Sequence, residues 1–189
     1  MEVPFSRVDT YYCEVKNREA IVPGAAVTGG QWEALAAEAR VWVYAADRVL
    51  SEAEVQELAA SMQAFTGGWQ AHQVPLRAGW MLWGNRVLVV GVDEAVHAAS
   101  GCSIDALTHA VQSLGAAFGV DWFNRMQVLH EDEEGKWVST AMHAFWALRK
   151  AERVHDDIRV VNPLAKTKGE WVNAGVQVFR DSWHAAMWR

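Results

Sequence analysis

The run Val87-Leu88-Val89-Val90 contains no polar side chain. Alternate side chains of a strand point to opposite faces, so a strand that is apolar on both faces belongs at the centre of a sheet. The pair Gly84-Asn85 precedes it and suits a tight turn; Asp93-Glu94 ends it. Upstream of the turn, Trp80 to Trp83 reads as a second strand, and the spacing predicts a hairpin over 80–92.

The flanking segments extend this hairpin into a larger pattern. Val41-Trp42-Val43-Tyr44 is β-branched and aromatic and reads as a strand. Ser51 and Glu54 make a capping box, and Val55, Leu58, Ala59, Met62 and Phe65 follow at helical spacing until Gly67-Gly68. Residues 69–78 read as an irregular polar connection. A second helix is expected from near Ser103 or Asp105, with Ile104, Leu107, Val111, Leu114 and Phe118 on its buried face and Gly119 as its stop. Met126 to His130 reads as a fourth strand.

The order over 40–130 is therefore β-α-β-β-α-β. It predicts an α+β fold with a ferredoxin-like core, an antiparallel sheet carrying two helices on one face. Beyond it, Asp132 to Gly135 reads as a turn, Trp137-Val138 as a returning strand, and Met142 to Glu152 as a helix. Ile158 to Val161 reads as a short strand. A last helix is expected over Lys168 to Phe179, weakened by Gly175. Residues 40–189 are expected to form one domain. Residues 1–39 read as an N-terminal extension, with a short strand at Tyr11 to Val15, a turn-rich stretch at 23–30 and a helical turn or two at Gln31 to Arg40.

A chain of 189 residues can bury a core without metal or disulfide staples. Its net charge of −6 and lack of Lys/Arg runs disfavour a nucleic-acid or anionic-membrane partner. Its two cysteines, Cys13 and Cys102, do not form a disulfide framework. With no basic-then-apolar leader, the cytoplasm is the expected compartment. Eleven tryptophans follow no fixed period, so no repeat architecture is expected; they read chiefly as packing. No segment has the spacing of a metal or cofactor site.

Several segments taken in order carry a resemblance: Arg40-Val41-Trp42-Val43-Tyr44, Arg48, Phe65 with Trp69-Gln70-Ala71-His72, Val92-Asp93-Glu94, Ser100-Gly101-Cys102-Ser103-Ile104-Asp105, Asp121 with Arg125-Met126, and Ser182-Trp183-His184. Over about residues 40–189 the chain resembles a family of small bacterial proteins that often bear the label "ABC transporter ATPase". Such an ATPase needs a phosphate cradle of the form G-x-x-x-x-G-K-[ST]. The chain has none; Lys166-Thr167-Lys168-Gly169 places its glycine wrongly. ATPase activity is not expected.

The segment from Ser100 to Asp105 carries the most chemistry. Cys102 follows Gly101 at an expected helix start, where the helix dipole favours a thiolate. Ser100, Gly101 and Ser103 offer hydroxyl and backbone donors for a ligand. A thiol nucleophile wants an imidazole, for which His72 and His184 are the candidates, with Asp105 as a tentative catalytic carboxylate. Asp93 at a strand end, the anion-binding candidates Arg48 and Arg125, and the pocket-lining candidate Trp183 complete the ligand-binding set. Asp121 and Arg125 are four apart and would pair if helical.

Each of these residues also has a plainer reading: a helix cap around a buried cysteine, turn carboxylates, surface ion pairs and structural histidines. Two functions remain: a small binding or regulatory domain for a small molecule or protein, and a cysteine-dependent enzyme built on Cys102. A homodimer through a sheet edge is compatible with either.

Overall fold

The computed structural model describes residues 26–187. The expected strand at Tyr11 to Val15 lies outside them. The central hairpin forms as the sequence dictates. β5 (Ala78–Trp83) and β6 (Val87–Val92) pair antiparallel, and Gly84 and Asn85 both take positive φ in the turn. All six residues of β6 are buried. On its other edge β6 pairs with β2 (Arg40–Ala45), and β5 pairs with β1 (Val27–Gly30), giving the order β1-β5-β6-β2.

The expected boundary at residue 40 therefore falls inside the domain. β1 is an edge of the sheet, and the chain that follows it buries Trp32, Leu35 and Ala39. Only a 3-10 turn, Trp32–Ala34, stands where one or two helical turns were expected. This turn lies on a sheet face stripped of side chains. A Cβ on Gly79 would stand 2.1 Å from the Trp32 backbone nitrogen.

α1 (Glu52–Gly68) starts at Ser51 with both halves of the capping box formed. β3 (Gln70–Ala71) and β4 (Val74–Pro75) make a miniature hairpin where an irregular connection was expected. α2 (Gly101–Phe118) ends at Gly119, which has φ +62°. α1 and α2 cover one face of the first sheet through Leu58, Met62, Leu107 and Val111, packed on Trp80, Leu82, Leu88 and Val90.

The fourth strand departs from the ferredoxin-like order. β7 (Gln127–Glu131) does not join β2. It pairs with β8 (Trp137–Ala141) and, at His130, with β9 (Arg159–Val161), in a second sheet of order β10-β9-β7-β8. The physical reason is local closure: Asp132 accepts from the Glu134 and Lys136 N–H groups, Gly135 takes φ +76°, and β8 returns at small loop-entropy cost. The edge of β2 meets residues 166–168 instead, with Val41 N–H donating to the Lys166 carbonyl at 2.9 Å.

The expected long last helix is divided. α3 (Met142–Lys150) precedes β9; α4 (Lys168–Ala174) is followed at Gly175 by β10 (Val176–Val178), and a short α5 (Trp183–Ala186) closes the described chain. Val41, Val87 and Val89 from the first sheet meet Leu129 and Val161 from the second in one core. Phe145 of α3 and Ala185 of α5 pack with Val128, Val160 and Phe179 on the far side. The layers are helices, sheet, sheet, helices: a mixed α+β fold whose strand pairs, among the described residues, are all antiparallel.

Candidate functional site at the start of the second helix

At the end of β6 the chain turns sharply to enter α2. Asp93 is buried. Its carboxylate accepts from the Ala95 N–H at 3.1 Å and meets Arg77 at 3.5 Å. Glu94 accepts from the Ala99 N–H at 3.1 Å and lies 3.5 Å from Arg40. Both carboxylates shape the loop over 93–99. His97 braces the same loop through its Nε2, 3.1 Å from the Ala71 carbonyl.

α2 begins at Gly101, two to four residues before the expected start. Ser100 is its N-cap: Oγ accepts from the Ser103 N–H, and the Ser103 hydroxyl donates to the Ser100 carbonyl at 2.8 Å. Ser103 is buried, and its carbonyl accepts from Trp69 Nε1 at 2.8 Å. The serines thus close the helix start on itself. Cys102 is an exposed free thiol, not a buried one, and no hydrogen bond joins it to an imidazole among the described residues. Asp105 and Gly101 are exposed on the same first turns.

His72 lies at the tip of the β3–β4 hairpin, exposed, with φ 51°; Gln73 beside it has φ 66°. Trp69 just before β3 bonds to Ser103, and Ala71 to His97, so this hairpin is tied to the α2 start and its loop. The element carrying His72 therefore reaches the helix start that carries Cys102.

His184 does not. It lies on α5 beside Phe145, with both sheets between it and α2. It is 4% exposed, its ring stacks on Trp183 with centroids 4.1 Å apart, and its Nδ1 has no partner. Burial pushes its pKa down to about 4, helped by nearby His130. His130 is itself buried and shifted downward by burial; it holds the Glu131 carbonyl and Thr140 hydroxyl at 2.7 and 2.8 Å. Trp183 serves this aromatic core rather than the α2 start.

The two anion candidates fare differently. Arg48 clasps Glu54 with both terminal nitrogens and also donates to the Phe118 carbonyl at the end of α2. This hydrogen bonding, with that from Ser51, holds the Glu54 carboxyl down at about 2. Arg48 is thus a brace between α1 and α2. Arg125 is exposed in a loop, so the helical pairing with Asp121 does not form; Asp121 instead accepts from the Phe123 N–H at 2.8 Å. Near Arg125, Tyr44 packs edge-on against Phe123, and burial lifts its phenol to about 12 despite the opposing Arg125 charge.

Sequence reasoning missed Arg86. It is 5% exposed and donates to the Ala46, Asp47 and Trp137 carbonyls, linking the two sheets. The available signal was a cation placed between a tight turn and the most apolar strand.

Among the described residues no three His, Cys, Asp or Glu side chains cluster to hold a metal ion. No helix among them is long and apolar enough to cross a membrane. Comparison with family models, curated proteins and solved structures finds no match to this chain.

Proposed function

We propose that this protein is a binding or regulatory domain that recognises a small molecule or a protein where the β3–β4 hairpin, the 93–99 loop and the α2 start meet. The observation that carries the reading is the hairpin tip. His72 and Gln73 both hold positive φ, as a two-residue hairpin turn requires, and stand exposed at the tip. Beside the tip, Val74 and Val96 expose apolar side chains, Val96 by 79%. The net charge of −6 favours a partner other than nucleic acid or an anionic membrane. An exposed thiol at Cys102 fits a reducing compartment such as the cytoplasm.

A binding surface needs no base at Cys102, whereas a thiol enzyme does. The test is iodoacetamide alkylation of Cys102 in the full chain carrying Cys13→Ser. The rate should stay within about twofold in His72→Ala and His184→Ala across the neutral range, because thiolate formation then owes nothing to either imidazole. A larger fall in either variant overturns the reading in favour of a cysteine-dependent enzyme.

A further inference from the structure

At the opposite end of β6, the tips of the β5–β6 and β7–β8 hairpins flank an open cleft of about 330 Å³. That lies within the size range of small-molecule sites. Two indoles wall it: Trp83 and Trp137 meet edge to face with centroids 5.0 Å apart. Val49, 53% exposed, stands at the cleft with them. Gly84 and Gly135 bring backbone without side chains to its lining.

The polar part of the lining is cationic. Arg86 lies in it, buried, with three of its five N–H donors given to carbonyls. Among the described residues no carboxylate lies in ion-pair range of its guanidinium; Asp47 acts on it only at a distance. Buried charges are ordinarily paired. Lys136 adds a second cation, whose partner among the described residues is Glu134 in a solvent-exposed pair that is readily exchanged. Arg159 over the Trp137 ring is engaged with Glu131 and is not needed here.

We propose that this cleft binds a small planar aromatic carboxylate. The ring packs against Trp83, Trp137 and Val49, and the carboxylate faces Arg86 and Lys136. Aromatic faces give area at low entropy cost, and the carboxylate supplies the counter-charge that the buried guanidinium lacks. This cleft lies at the other end of β6 from the α2 start and shares no residue with it.

The test is an NMR titration of the 15N-labelled full chain with 2-naphthoate, and with neutral 2-naphthamide as control. The amides of Gly84 and Gly135 and the Trp137 indole N–H should shift saturably with naphthoate. The amide should bind at least about tenfold more weakly, as expected when a charge-assisted contact is lost. Arg86→Ala risks the fold, so the variants are Lys136→Gln and Val49→Glu at exposed positions. Each should weaken naphthoate by at least about threefold, with other signals unmoved. Absence of saturable shifts at these sites up to about 5 mM, equal affinity for acid and amide, or unchanged binding in both variants overturns the proposal.

Discussion

Acidification should destabilise this protein through His184 before its surface carboxylates respond. The imidazole is buried with its Nδ1 unpartnered, and its pKa falls from 6.5 to about 4. In the unfolded chain it titrates near 6.5. Between those values the unfolded state binds the proton and the folded state does not, so stability falls as pH drops through that window and is unaffected above it. The gap, at about 1.4 kcal/mol per pH unit, amounts to about 3 kcal/mol once pH reaches 4. His130 is shifted the same way by burial and adds to the slope. Glu54, whose carboxyl is held at about 2, loses its contribution only at lower pH.

The assay is urea unfolding from pH 7.5 to 4.5, comparing the wild type with His184→Phe, which keeps an aromatic ring for Trp183 and Phe145 to pack on. The wild type should lose about 2–3 kcal/mol more than the variant over this range. Parallel curves would refute the argument, because they would mean that His184 is charged, or solvated, in the folded state.

Arg86→Ala should cost about 1–3 kcal/mol in the same unfolding assay, since it strands carbonyls at the junction of the two sheets. Gly79→Ala should destabilise by about 3 kcal/mol or abolish folding, because the new Cβ meets the Trp32 backbone; Gly101→Ala, with nothing within 4 Å, should leave the thermal midpoint unchanged or slightly raised. Ser100→Ala should lower stability by about 1 kcal/mol through loss of the N-cap, while Cys102→Ala at its exposed neighbour should change it by less than about 0.5 kcal/mol.

Much of the first sheet was legible from local pattern. The apolar run at 87–90 forced a central strand, Gly84-Asn85 its turn, and Ser51 with Glu54 a helix start, because each depends on neighbours within a few residues. The same holds for the Ser100 cap, which is written in a four-residue segment. Local pattern alone did not reveal which strands would share a sheet. Met126 to His130 reads equally well as a fourth strand beside β2 or as the first strand of a new hairpin; the Asp132 to Gly135 turn and the arrival of β9 decided it. Trp32 and Leu35 read as part of an extension because their burial depends on bare glycine backbone at Gly79 and Gly91, more than forty residues away.

The candidate site divides along the same line. Ser100 to Asp105 could be placed at a strand-to-helix junction from sequence, since chain order alone puts it there. Whether a histidine reaches Cys102 is a question of layers, and the two sheets carry His184 to the opposite side while the hairpin that bears His72 is tied to the α2 start through Trp69. Residue type and spacing set the caps, turns and strands; long-range pairing, which no short window encodes, set which side chains meet.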